Sequence, residues 1–199
     1  MLDFLELEET VGRAWHRLIG GTATWLRFPE HAVKLDDVQT LLAVCFRGFG
    51  GERAVQIAPA RARTSTHRLR LRQRMGLGEE KVAQPSRDHA TLMLPPVIDL
   101  FPDEGLNRDL YVWLAAAMAC LPLDQLPSDD LLLNDLTRLD RASKLADNVM
   151  EAFPGMKNRY RRLCAAILAV RQKRSLPKVE QQVENRILAM LANGAEHHA

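Results

Sequence analysis

The sequence lacks the short motifs that identify many enzymes. It contains no GxxxxGK[ST] phosphate loop, no GxSxG nucleophile elbow, no HExxH pair and no CxxC pair. P-loop nucleotide hydrolysis, serine-hydrolase chemistry and the common zinc sites therefore have no support. The six histidines are scattered, without the helical spacing of metal ligands. The sequence predicts no catalytic residue, no metal site and no cofactor, so we expect a protein that is not an enzyme.

Cysteines and long apolar runs are also scarce. Cys45, Cys120 and Cys164 lie far apart in apolar contexts, which predicts reduced, buried thiols and no disulfide framework. The first nine residues include four acids, where a signal peptide needs basic residues. No apolar run reaches the roughly 18 residues of a membrane span. We therefore expect a cytoplasmic protein that does not contact a membrane.

The composition is that of an ordinary globular domain. The chain has 199 residues, of which 47% are hydrophobic and 26% charged. The fold class predicted from periodicity is mainly α with a small antiparallel β element (α+β). We expect one domain over residues 1–199, with helices and a short sheet over about 1–104 and a helical bundle over about 105–199.

The predicted elements follow from apolar spacings of three and four for helices and of two for strands. Helices are predicted at Leu2–Ile19, Leu35–Phe49, Asn107–Ala119, Ser128–Ala152, Lys157–Lys173 and Pro177–Leu191. Strands are predicted at Ala54–Ala58, His67–Met75 and Ala90–Leu94, and a helix over Arg61–Met75 is the alternative for the second of these. Gly76–Arg87 is predicted to be a mobile polar loop, and Asn193–Ala199 a frayed tail.

The stretch Ala90–Ala119 is the most apolar part of the chain and is predicted to form the centre of the core. Asn107 is a candidate helix cap, because its side-chain oxygen accepts from a first-turn N–H. Asp109 would then lie in the first turn and suit the positive end of the helix dipole. Tyr111, Trp113 and Leu114 are predicted to be packing residues, with function on the charged surfaces around them.

Charge is distributed unevenly along the chain. Residues 47–88 contain ten bases and four acids, a balance of +6, whereas residues 103–151 contain four bases and ten acids, a balance of −6. Within the basic part, strict alternation places four arginines on one face of the predicted strand: Arg68, Arg70, Arg72 and Arg74. We call these four residues the arginine row.

The arginine row is the predicted partner-binding surface, because guanidinium groups bind carboxylates or phosphates through paired, charge-assisted hydrogen bonds. The other interpretation, that these arginines pair with the chain's own acidic helix over Asp129–Asp147, remains open. Nucleic acid is the less favoured partner, since no aromatic residues interleave with the arginines. The basic side of the helix Lys157–Lys173 is a second candidate surface; its residues are Arg159, Arg161, Arg162, Arg171 and Lys173.

Three parts of the sequence resemble the N-terminal part of the CbbO/NorD family. They are LEETVGRAWHRLIGG at Leu7–Gly21, LPPVIDLFPDEGLNRDLYVWLAA at Leu94–Ala116 and the helical region that follows. Members of this family end in a von Willebrand factor A domain with a DxSxS metal site. Nothing here matches DxSxS, so the resemblance implies an N-terminal domain alone.

The resemblance also implies a function. Family members work with a hexameric MoxR-type AAA+ ATPase, which is CbbQ for CbbO and NorQ for NorD. CbbO is the adaptor of a Rubisco activase, and NorD acts in the activation of nitric-oxide reductase. The first expectation is therefore a non-catalytic adaptor that docks on a CbbQ-like hexamer and helps to couple it to Rubisco. The equivalent domain of NorD is the alternative, and a nucleic-acid-binding helical module is a more distant one.

Overall fold

A computed structural model describes residues 27–60, 62–63, 82–83, 85–121, 131–171 and 178–196. Within these ranges five α-helices account for most of the structure: α1 (Leu35–Gly48), α2 (Glu104–Ala119), α3 (Leu131–Ala152), α4 (Met156–Val170) and α5 (Lys178–Glu196). All five lie where the periodicity predicted them, and the mainly α fold class with a small sheet is confirmed. The predicted helix Leu2–Ile19 and the predicted strand His67–Met75 lie outside the described residues.

The strands in the described part of the chain are short and form three small sheets. Their bounds are Val33–Lys34 (β1), Gln56–Pro59 (β2), Ala62–Arg63 (β3), Val82–Ala83 (β4), Ser86–Arg87 (β5), Thr91–Leu94 (β6) and Val97–Ile98 (β7). β1 pairs with β7 and β3 with β4, both antiparallel. The third sheet has three strands in the order β2-β6-β5. Two of the predicted strands are thus confirmed, as β2 and β6.

The three-stranded sheet is mixed and not purely antiparallel. β2 runs parallel to β6, with Gln56 opposite Thr91 and Pro59 opposite Leu94, while β5 runs antiparallel to β6. A parallel pair needs a long crossover connection, and the chain between Pro59 and Thr91 provides one. Alternating apolar residues predict a strand but not its direction, which is why the sequence indicated only an antiparallel sheet.

Helix α2 forms the centre of the core, as the sequence predicted. Ten of its sixteen residues are buried, and it contacts α1, α3 and α4 together with strands β1, β6 and β7. Tyr111 is fully buried and Leu114 nearly so. Trp113 is half-buried and packs on Tyr160 of α4, with 4.4 Å between ring centroids. One cluster of buried apolar residues extends from α1 through α2 to α5.

The start of α2 corrects the predicted cap. The helix begins at Glu104, and the cap is Asp103, whose carboxylate accepts from the Leu106 N–H at 2.8 Å. Asn107 lies inside the helix and is fully buried. Its side chain accepts from the backbone N–H groups of Leu100 and Phe101, both at 3.0 Å, and donates to the carbonyls of His31 at 2.8 Å and Phe101 at 2.9 Å.

The last helix is longer than predicted. α5 continues to Glu196, so most of the predicted frayed tail is helical. α5 lies very close to α4 at Gly194, where a Cβ would lie 2.7 Å from the Cys164 sulfur and 3.0 Å from Tyr160 Cε1 of α4. Glycine therefore lets α5 approach α4 closely, and the packing of this face holds the end of the helix in place.

Candidate functional site

The arginine row lies outside the described residues, so its role remains a prediction. The structure does describe the two strands, β3 and β4, that precede and follow it in sequence. β3 and β4 pair antiparallel, with Ala62 opposite Ala83 and Arg63 opposite Val82. The two ends of the segment 64–81 are therefore held side by side.

The second predicted surface, the basic side of α4, is built around a buried carboxylate. Asp109 of α2 is 8% exposed, and two arginines of α4 converge on it. Arg159 donates from Nε to Asp109 Oδ1 at 2.6 Å, and Arg162 donates from its terminal nitrogen to Asp109 Oδ2. We call these three residues the Asp109 clamp. Because α2 begins at Glu104, Asp109 lies beyond the first turn, where the helix dipole has little effect.

The Asp109 clamp leaves a positive, solvent-accessible side. One carboxylate faces two guanidinium groups, so the three residues together carry a net positive charge. The side chain of Arg162 is 56% exposed. A guanidinium has five N–H donors, and Asp109 takes one from Arg162. The clamp thus joins α2 to α4 and still presents donors that suit an acidic group of a partner protein.

Not every arginine of α4 belongs to this surface. Arg171, directly after the helix, was predicted to be on the basic outer side but has a side chain only 6% exposed. It donates to both carboxylate oxygens of Glu184 on α5, at 2.7 and 2.8 Å. Arg161 donates to Asn158 at 2.9 Å, and Lys173 lies outside the described residues. The basic surface of α4 is therefore smaller than the sequence indicated.

Arg87 is a buried charge that the sequence did not reveal, because it lies in a segment predicted to be a mobile loop. It is 7% exposed and donates to the carbonyls of Met118 at 2.8 Å and Ala119 at 3.4 Å. These carbonyls belong to the last turn of α2, where no intrahelical donor is available. A further ion pair joins Arg87 to Glu52 at 3.6 Å, and the guanidinium lies 5.3 Å from the ring centroid of Phe46.

Arg87 therefore has a structural role. It satisfies the end of α2 and fixes strand β5 against α1. Among the described residues its Nε has no hydrogen-bond partner. An arginine in a polar stretch predicts exposure, and only the position of the α2 carboxyl end, fixed by the tertiary fold, shows that this one is buried.

The three cysteines, predicted to be buried thiols, differ in their burial. All three are free, but Cys164 alone is fully buried and Cys45 and Cys120 are half-buried. Burial raises the pKa of the Cys164 thiol to about 11, against an opposing effect of its hydrogen bond with Tyr160. Burial also raises the pKa of the Cys120 thiol. A protonated thiol is a poor nucleophile, so neither group has the character of a reactive cysteine.

The described residues contain neither a cluster of metal ligands nor a helix that could span a membrane. No group of three or more His, Cys, Asp or Glu side chains in that part of the chain could hold a metal ion. In the same ranges, no helix combines the length and the apolar character needed to cross a membrane.

Known proteins resemble the chain over nearly its whole length. It is 66% identical over 198 residues to Protein NorD of Brucella abortus strain 2308, which covers 98% of this chain and 31% of that protein. Protein NorD of Stutzerimonas stutzeri is 34% identical over 181 residues, 90% of this chain and 28% of the relative. An uncharacterized protein of Pseudomonas aeruginosa is 31% identical over 192 residues, 94% of this chain and 29% of the relative.

The chain spans about a third of the length of the curated relatives that it matches. No family model matches the chain. No solved structure matches it either.

Proposed function

Because this chain belongs to the NorD family, we propose that it is the adaptor domain of a NorD-type protein. In this proposal it docks on a hexameric MoxR-type AAA+ ATPase and helps to couple that motor to nitric-oxide reductase. The observation that carries the proposal is the 66% identity to Protein NorD over 98% of the chain. It favours NorD over CbbO, which was the first expectation from the sequence, and nitric-oxide reductase over Rubisco as the target.

Two surfaces are proposed to contact the ATPase. The arginine row is the first, on the strength of its charge and alternation. The exposed side of the Asp109 clamp is the second, because Arg162 is half exposed and the clamp has a net positive charge. Both surfaces suit an acidic partner, and long-range attraction between opposite charges mainly raises the association rate and makes it depend on salt.

Docking is tested by mixing the chain with its cognate ATPase and measuring mass by size-exclusion chromatography with light scattering. A complex heavier than the hexamer alone is the expected result. Separate elution at micromolar concentration would show that this domain does not carry the docking surface.

Charge-reversal variants distinguish the contributions of the two surfaces to binding. The triple variant Arg68→Glu, Arg70→Glu, Arg72→Glu tests the arginine row, and Arg162→Glu tests the clamp. Arg53→Glu, at an exposed turn residue, is the matched control for a single charge reversal. If one of the first two variants binds the ATPase more weakly and with a flatter salt dependence, while the control does not, the surface changed in that variant is the docking surface.

We further propose that the domain is non-catalytic, binds no cofactor and acts in the cytoplasm, where its partner finds ATP. The absence of catalytic motifs in the sequence supports the first two points. The chain alone should release no phosphate from ATP, while the ATPase should do so with or without it. Phosphate release by the chain alone would refute the non-catalytic role. Cell fractionation of the tagged full-length protein tests the location.

The target enzyme is best tested in cells. A strain that lacks the full-length gene should lose nitric-oxide reductase activity and regain it when the gene is restored. Unchanged nitric-oxide reductase activity, together with a loss of Rubisco activity, would instead support the CbbO interpretation.

A further inference from the structure

A groove lies where α3, α4 and α5 meet. Its volume is about 440 Å³, which is within the range of small-ligand pockets. Nine residues line it: Ser143, Asp147, Met150, Glu151, Lys157, Tyr160, Met190, Asn193 and Gly194. An aromatic ring and two thioethers provide apolar surface, and the remaining lining is mostly polar or charged. Such a lining suits a ligand with an apolar stem and a polar head.

The groove has an excess of negative charge. Asp147 and Glu151 lie one turn apart on α3, both exposed, and neither forms an ion pair with a described residue. Burial is the main reason that the pKa of Tyr160 is raised, and the charge of Asp147 contributes to the same shift. Asp147 therefore lies close to the ring that lines the groove. Lys157 supplies a positive charge in the lining, so two carboxylates face one ammonium group.

Two helix ends add to this negative potential. α3 ends at Ala152 and α5 at Glu196, and both carry their carboxyl ends towards the groove-lining residues. Carbonyl groups without intrahelical partners give a helix C-terminus a partial negative charge, which basic side chains often offset. Neither α3 nor α5 has a basic residue in its last turn. α4 begins at Met156, next to the lining residue Lys157, so its N-terminus opposes them with a partial positive charge. Two carboxyl ends outnumber this one amino end, so the helix ends leave a negative balance that adds to the charge of the carboxylates.

We propose that this groove binds the side chain of an arginine presented by a peptide segment of a partner protein. The guanidinium would contact Asp147 and Glu151, and its methylene stem would pack on Met150 and Met190. Arginine fits better than lysine because its planar, weakly hydrated head forms paired hydrogen bonds with carboxylates and tolerates partial burial. The proposal is independent of ATPase docking, since it rests on the groove alone.

The test is an NMR titration of the ¹⁵N-labelled chain with acetyl-Gly-Arg-Gly-amide at low salt. The comparison probe is the same peptide with citrulline in place of arginine, which keeps the shape of the side chain and removes its charge. The arginine peptide should shift the amide resonances of Asn193 and Gly194, and the citrulline peptide should bind about tenfold more weakly, since hydrogen bonds to charged groups contribute at least this much.

Variants separate the groove from general charge attraction. Asp147→Asn should weaken binding of the arginine peptide about tenfold. Asp140→Asn changes the same charge on the same helix, at a residue outside the groove lining, and should leave binding unchanged. Asn193→Lys should block binding, because it adds an ammonium group at an exposed position of the lining.

Three results would overturn the proposal. Equal binding of the arginine and citrulline peptides would show that charge is not recognised. Equal effects of Asp147→Asn and Asp140→Asn would reduce the interaction to net charge. Resonance shifts confined to the acidic first turn of α1, at Asp36 and Asp37, would place the binding elsewhere.

Discussion

Replacing Asn107 by alanine should strongly destabilise the fold. The amide side chain makes four hydrogen bonds from a fully buried position. Alanine would leave the N–H groups of Leu100 and Phe101 and the carbonyl of His31 without this partner. A buried unsatisfied group costs about 1–3 kcal/mol, so we expect a total loss of about 4 kcal/mol. That is a large fraction of the roughly 5–15 kcal/mol of a typical domain.

The measurement is urea unfolding of the purified chain, followed by circular dichroism and extrapolated to water. Asp103→Ala is the matched control on the same helix, because it removes one exposed cap hydrogen bond and should cost only about 1 kcal/mol. Amide hydrogen exchange at Leu100 and Phe101 should become faster in Asn107→Ala. A loss of unfolding free energy below about 1 kcal/mol, or unchanged exchange at both amides, would refute the view that the side-chain hydrogen bonds of Asn107 stabilise the fold.

Three further predictions concern helix packing. Asp109→Asn leaves two arginines without their charge partner and should lower the free energy of unfolding by about 2 kcal/mol, less than for a fully buried pair because one arginine is exposed. The control Asp140→Asn, in an exposed pair, should change this free energy by less than about 1 kcal/mol. Equal losses of the two variants in urea unfolding would contradict the stabilising role of the Asp109 clamp. Gly194→Ala should lower the free energy of unfolding by about 1–3 kcal/mol, because the added methyl group overpacks α5 on α4. Gly155→Ala, where a Cβ meets nothing within 4 Å, should leave this free energy nearly unchanged. A thermal melt in which Gly155→Ala is the less stable variant would contradict this packing. Burial raises the pKa of the Cys164 thiol from 9.0 to about 11, so the contribution of the protonated thiol to stability is complete below pH 9 and is lost as the pH rises towards 11. Over this pH range the urea midpoint should fall more steeply in the natural chain than in Cys164→Ala. Parallel curves of midpoint against pH would exclude the thiol as the cause.

The helices could be predicted from the sequence because their apolar spacing reflects the face that each one buries. In α1 the buried residues Leu35, Val38, Leu42 and Phe46 follow intervals of three and four, and a glycine with positive φ at Gly50 follows the helix end. Such signals are local, so they survive without knowledge of the neighbours. The five described strands of two residues carry no periodicity of this kind, and none of them was predicted.

The roles of individual polar residues depended on distant partners. Asn107 and Asp103 are both favourable cap types, and the choice between them was decided by a hydrogen bond to His31, 76 residues earlier. Asp109 was assigned to the helix dipole, yet its partners are 50 and 53 residues later. One signal was available: a carboxylate within the most apolar helix of a chain needs a charge partner if it is buried.

The candidate site was predicted only in part. One of the three parts that carry the family resemblance, Leu94–Ala116, contributes many of its residues to the core. The surface on α4 was found through its run of arginines, but the internal pairing of Arg171 was not. The groove between α3, α4 and α5 left no trace in the sequence, because its lining comes from three helices that meet only in the folded chain.

The pairing of β3 with β4 has a consequence for how this family can vary. Ala62 and Ala83 face each other across the ladder, so the chain between them begins and ends at the same place on the domain. The entropy of closing a loop grows only with the logarithm of its length, and a doubling costs about 0.6 kcal/mol. Insertions, deletions and changes of charge between these two strands can therefore accumulate at little cost to folding. Relatives could therefore differ in the length of the chain between β3 and β4 while their helices stay the same.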